Sequence, residues 1–355
     1  MDQAARSAEA VALKASARLY QGVGSMRPLK RPLHAPIRYH PSAMSSSPIL
    51  PSALSAPCIV VLAWLLRVAC GLEFIGHGAF GIITKPGWVP YFGVIGIPPA
   101  SAYHLMPVIG SLDIILGILA LVRPMRWPLV YMATWGLWTA LLRPLSGEPF
   151  WETLERAPNY LIPLSLLIVL TVEKGAVHSA GLPHVSGTSQ APGQPNRMKH
   201  YVGWLSAAAA RTRPLDWILR LAIAGAFIGH GAFGVVMNKP AWNTFFSHMG
   251  IPAAVAVEHA LMLWVGGAEM ILGVLALVID APAFFFMLFL WKLTSEIFWY
   301  VPPASPFWEI VERGSNYAAP LALVVLHGWP HSLTSWFRRR GKRDSSATGA
   351  VSDVH

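Results

Sequence analysis

Two histidines stand in identical octapeptides, Phe74-Ile75-Gly76-His77-Gly78-Ala79-Phe80-Gly81 and Phe227-Ile228-Gly229-His230-Gly231-Ala232-Phe233-Gly234. An imidazole titrates near neutral pH and both donates and accepts hydrogen bonds, so in apolar surroundings it can hold or pass a proton. Arg67 and Arg220 precede these histidines by ten residues, roughly 15 Å along a helix. Asp113 and Glu269 share one aligned position in a later apolar run, within Gly-x-x-(Asp/Glu)-x-x-Leu-Gly-x-Leu-Ala-Leu-Val. A charge inside an apolar segment is costly without a partner. The simplest expectation is therefore two buried ion pairs, Arg67 with Asp113 and Arg220 with Glu269, acting as glue between helices and leaving the imidazoles free.

A second motif also occurs twice. Pro149-Phe150-Trp151-Glu152-x-x-Glu155-Arg156-x-x-Asn159-Tyr160 matches Pro306-Phe307-Trp308-Glu309-x-x-Glu312-Arg313-x-x-Asn316-Tyr317. Acids at a helix start are favoured by its dipole, which accounts for Glu152 and Glu155 without a ligand. Arg156 and Asn159, with Arg313 and Asn316, are not explained that way and suit an anionic or carbonyl group. If the segment is helical, Glu155 and Asn159 share a face at i, i+4, whereas Pro158 suits a helix that begins there.

The glycines flanking each histidine admit either a packed helix or a flat ligand close to the backbone. In the first case the histidine bonds a carbonyl or a loop acid; in the second it lines a pocket for a quinone-like headgroup. Haem is not expected, because His104 and His259 do not align in register as second ligands. No Cys/His metal spacing, phosphate loop or nucleophile elbow is present. Cys58 and Cys70 fall on one helix, too far apart to pair.

These residues must be positioned by membrane helices. Hydrophobic residues make up 54% of the chain and charged ones 12%, which excludes an ordinary soluble protein of 355 residues. Four apolar segments per copy, 58–83, 101–122, 127–143 and 160–172, then 217–237, 253–279, 282–300 and 316–327, approach the roughly 20 residues that span a bilayer. Backbone groups in lipid must satisfy themselves, so helices are the assignment. The expected fold is all-α, polytopic, with eight transmembrane helices as two parallel four-helix bundles, the symmetry of a fused dimer.

The domain reading is a disordered or targeting tail at 1–55, a first repeat at 56–175, a flexible linker at 176–214, a second repeat at 215–330 and a basic tail at 331–355. A transit peptide, a cytoplasmic tail and initiation at Met44 all fit the first segment. Basic residues in both tails, the linker and the Arg123/Arg126 loop fall on one side of eight crossings, so both termini are expected in the cytoplasm. The charge of +10 is then an orientation signal, and no nucleic-acid partner is expected. Buried charge has diverged between the copies: Lys292 and Glu296 stand where the first copy has Gly136 and Ala140, and Glu73 where the second has Ala226.

Arg67, Phe74, His77, Gly78, Asp113, Leu116 and Gly117, with Arg220, Phe227, His230, Gly231, Glu269, Leu272 and Gly273, resemble the DoxX/DoxD family of four-helix membrane proteins. The resemblance covers most of 58–172 and 217–327. It implies a bacterial inner-membrane subunit or accessory of a quinone-linked oxidoreductase, as in a thiosulfate:quinone oxidoreductase, with a quinone as cofactor and a redox protein as partner. The duplication and the Pro-Phe-Trp-Glu motif depart from the family pattern, so thiosulfate chemistry is not carried over. The alternative reading is a small-molecule permease or a non-catalytic scaffold.

Overall fold

The computed structural model describes residues 56–180, 195–258, 260–300, 307–327 and 333–337. The tail expected at 1–55 lies outside them, as do 181–194 in the linker and all of the C-terminal tail except 333–337. The first copy contains α1 (Ala56–Ile82), a 3₁₀ turn (Pro86–Trp88), α2 (Val89–Val94), α3 (Pro99–Val122), α4 (Arg126–Leu145), α5 (Trp151–Glu155) and α6 (Ala157–Ala180). The second contains α7 (Pro195–Val235), α8 (Ala241–His248), α9 (Ala253–Glu258), α10 (Leu261–Val278), α11 (Pro282–Tyr300), α12 (Trp308–Glu312) and α13 (Gly314–Leu326), and α14 (Leu333–Phe337) follows. The described residues contain no strand.

Two expectations change at this level. The run 253–279 is divided into α9 and α10, with Ala260 in the left-handed region at φ 50°, where Glu258 and His259 interrupt the apolar sequence. Helix also enters the expected linker from both sides, to Ala180 and from Pro195.

Four helices among the described residues are long and apolar enough to cross a membrane: Cys58–Ile82, Pro99–Val122, Thr212–Val235 and Leu261–Val278. Their outer faces remain apolar where no protein covers them. On α3, Ala102, Met106, Gly110, Asp113, Gly117 and Ala120 are buried at helical spacing, while Val108, Leu112, Ile115, Ile118 and Val122 are exposed. On α10, Met262, Gly266, Glu269, Gly273 and Ala276 are buried, and Leu263, Trp264, Ile271, Val274 and Val278 are exposed. Such an apolar exterior is unsuited to water and suits lipid. By contrast, α13 has 13 residues, about 20 Å of helix, short of the roughly 30 Å of a hydrocarbon core.

The copies share one core. α1 packs on α3 of its own copy and on α13 of the other, and α7 packs on α10 of its own copy and on α6 of the other. Leu66, Leu166, Leu219, Ile223, Leu288 and Leu323 belong to a single buried cluster, so two self-contained bundles do not describe this packing. Polar closure accompanies it: buried Glu73 accepts a hydrogen bond from Ser315 across the copies.

Short helices lock the arrangement reciprocally. α5 lies on α7, and α12 lies on α1. A Cβ on Gly76 would collide with the backbone of Glu312, and one on Gly229 with the backbone of Glu155. Gly76 and Gly229, just before the histidines, are thus explained by close passage of the opposite copy's backbone. Gly229→Ala is expected to destabilise the protein by about 1–3 kcal/mol, as overpacking does. Gly87→Ala, which meets open space, should leave the thermal unfolding midpoint in detergent unchanged.

Candidate functional site

Each histidine owes its position to the end of its helix. Beyond α1 and α7 the chain turns through residues in the left-handed region, Thr84 (φ 53°) and Asn238 (φ 47°), and folds Trp88 and Trp242 back over the helix end. The His77 ring lies 4.6 Å from the Trp88 ring and is stacked on it, and His230 lies 5.2 Å from Trp242. Small aromatic clusters, Phe80, Trp88, Phe92 and Met106 in one copy and Phe233, Trp242, Phe246 and Met262 in the other, hold these indoles.

The acids go to the histidines, which corrects the pairing expected from sequence. His77 Nδ1 is 2.9 Å from Asp113 Oδ2, and His230 Nδ1 is 2.5 Å from Glu269 Oε2. The cause is register. Gly110 packs on Gly78 and Gly117 on Gly71, while Gly266 packs on Gly231 and Gly273 near Ala224. In antiparallel helices this sets each acid level with the histidine, and the arginine roughly 15 Å further along. At that opposite end Arg220 bonds Asp216 (2.8 Å), Asp280 (3.0 Å) and the carbonyls of Ala276 and Ile279. His327 completes the group, 2.6 Å from Asp216. Arg67 lies over the Trp64 ring.

Beside each histidine is a cavity. That of the first copy, about 140 Å³, is lined by His77, Trp88, Tyr91, Trp135, Trp138, Arg143, Arg156 and Asn159, among others. That of the second, about 170 Å³, is lined by His230, Trp242, Phe245, Glu269, Trp291, Ser295, Glu296 and Arg313, among others. An apolar cavity of about 150 Å³ holds a benzene ring. Each space therefore matches one six-membered ring between aromatic walls, with an imidazole at one edge.

The second repeated motif reaches across the copies. Arg313 Nη1 donates to Glu296 (2.9 Å) of its own copy and Glu155 (3.4 Å) of the other, while Arg156 donates to Glu155 (2.8 Å) and Glu152 (3.0 Å). Lys239 pairs with Glu152 and Lys85 with Glu309, both between copies. These groups border a polar cavity of about 440 Å³ lined by Lys85, Arg143, Glu152, Arg156, Lys239 and Arg313, among others. Glu312 and Asn316 line a smaller one with Arg156 and Arg313. The expected i, i+4 face of Glu155 and Asn159 is interrupted, because Arg156 (φ −90°, ψ 13°) breaks the helix before α6 starts at Ala157.

Trp135, Trp291, Tyr91 and Arg143 were not singled out by sequence. Trp135 and Trp291 carried a signal nonetheless: a tryptophan at the same mid-helix position in both copies, away from an interfacial belt. Tyr91 and Arg143 carried none, since the second copy has Phe245 and Trp299 there. No protein-family model, curated protein or solved structure matches this chain.

Charge balance in the motif sets a pH response. Burial alone would raise the Glu155 pKa, but the guanidinium groups of Arg156 and Arg313, with His230 and Lys292 beyond them, outweigh it and hold it at about 2. Burial likewise opposes the charge on Arg156 and Arg313, and the neighbouring carboxylates raise both. A depressed carboxyl pKa contributes stability that is complete above the ordinary value of 4.5 and is lost as pH falls toward about 2. The thermal midpoint should therefore drop across that window. Glu155→Gln should start lower at neutral pH and fall less over the same interval.

Proposed function

We propose that this chain is an integral membrane protein crossing the bilayer eight times, and that its imidazole-lined cavities bind the ring of a quinone-type lipophilic molecule within an electron-transfer system. The observation that carries this reading is a histidine backed by a buried carboxylate and set against an indole, at the wall of a cavity the size of one ring, present in both copies. An imidazole held by a carboxylate through one ring nitrogen keeps one orientation and offers its other nitrogen, which suits hydrogen bonding to a quinone oxygen. Aromatic walls supply the flat apolar contact that a lipophilic ring needs.

The likeness of the histidine and acid motifs to DoxX/DoxD proteins supports the same reading, with a redox protein as partner. Bacterial inner-membrane placement with cytoplasmic termini rests on that likeness and on the distribution of basic residues. In this orientation both cavities and the cross-copy charge cluster face the outer leaflet. The polar cavity of about 440 Å³ between the copies favours a permease instead. Against that, the centre of the molecule is the filled apolar cluster of Leu66, Leu166, Leu219, Ile223 and Leu323.

Protein purified in mild detergent should yield quinone on solvent extraction. The His77→Ala/His230→Ala double variant should lose about tenfold or more of it, as when a hydrogen bond to a buried polar group is removed. Equal recovery from the two proteins would sink the reading.

A further inference from the structure

Both ring-sized cavities share an edge with the polar chamber between the copies, and the two edges carry their charge differently. Trp88, Tyr91, Arg143 and Arg156 line the first cavity and the chamber alike. Phe233, Lys239 and Arg313 do the same for the second. Each aromatic space therefore ends at a cationic wall with polar space behind it. In the second copy that wall is answered from within the cavity. Glu296, 2.9 Å from Arg313, lines it, and so does Glu269, which also accepts from Trp291 Nε1 at 2.7 Å. In the first copy no carboxylate is among the described residues that line the cavity.

The first cavity's arginines have donors to spare. Arg143 and Arg156 are drawn side by side by one oxygen, Glu152 Oε2, at 3.4 and 3.0 Å. Among the described residues, every hydrogen bond that either side chain donates leaves from Nη1, toward Glu148 and Glu152 or toward Glu152 and Glu155. Those three acids line the chamber and not the cavity. Nε and Nη2 of both arginines are left over, and a water-sized group can reach them. A guanidinium offers five N–H donors in a planar fork and accepts nothing, so the group that completes this wall is an acceptor. A carboxylate matches the fork with two oxygens, and its charge-assisted bonds are roughly twice as strong as those of a neutral carbonyl. Asn159, on the same wall, has an amide that can donate to it as well.

Resting on the ring-binding reading above, we propose that the first copy's cavity takes an aromatic carboxylate of the benzoate class. The ring occupies the aromatic space, and the carboxylate meets Arg143 and Arg156 on the side away from the three glutamates. The second cavity turns this ligand away, because Glu269 and Glu296 would face its charge, and is left to neutral rings. Charge on the cavity wall thus separates the two sites.

Benzoate and benzamide, alike in shape and different in charge, would be titrated by calorimetry into the full chain in mild detergent at pH 7. Wild type should bind benzoate at one site per chain, about tenfold or more tighter than benzamide. Arg143→Gln should lose that preference through a benzoate affinity about tenfold lower, with benzamide affinity unchanged. Arg143→Lys keeps a charge for Glu148 and Glu152 without the fork, so it should hold the wild-type thermal midpoint and still lose most of the preference. Benzamide bound as tightly as benzoate by wild type, two benzoate sites per chain, or a preference that survives in a folded Arg143 variant overturns the inference and leaves ring binding standing. Failure of both compounds to bind also overturns it, and solvent extraction of quinone from the same preparation then decides the ring-binding reading separately.

Discussion

The absence of a side chain at two positions governs how this molecule is put together. At Gly76 and Gly229 the first helix of each copy is bare enough for the other copy's short helix to lie backbone against backbone. That contact is isologous, each copy giving a notch and receiving one. It brings α6 and α13 into the shared core and delivers Glu155 and Arg313 to one another. The cross-copy charge cluster near the histidines inherits its position from this approach.

Within that frame the copies have taken different electrostatic solutions. The second carries Lys292 and Glu296 inside α11, both buried, and couples them to Glu269 and Arg313. The first carries its basic group further out, where Arg143 meets Glu148 and Glu152 and lies over the Tyr91 ring. Each solution keeps charges in company, as low-dielectric surroundings demand. They produce unlike cavity walls, with Glu269 and Glu296 facing Lys239 and Arg313 in the second copy, and Arg143 and Arg156 without a lining acid in the first. Divergence is expected where two sites sit on one chain and no symmetry forces them to remain equal.

Much of the architecture was legible in the sequence, and the reasons for the misses are physical. Composition and apolar length identified long helices, and the repeated octapeptides located the histidines that line both cavities. Pairing of Arg67 with Asp113 and Arg220 with Glu269 failed because linear position reports depth only once the register of antiparallel neighbours is known. The glycines at 78 and 110, or 231 and 266, fix that register, and their contact is a tertiary fact. The packing reading of the glycine-flanked histidines holds at Gly76 and Gly229, and each histidine also lines a cavity. Partners across the copies, such as Lys239 with Glu152, were out of reach because nothing in a tandem repeat says whether its units fold apart or together.

A chain carrying only one copy would leave an open groove on its first helix and a short helix with nothing to lie on. It would have to find a twin, and the resulting pair would be identical on both sides, with the same acid and the same cavity twice. Covalent fusion removes that obligation. Joined end to end, the halves need not assemble by concentration, and one can keep an acid that meets its indole while the other shortens it.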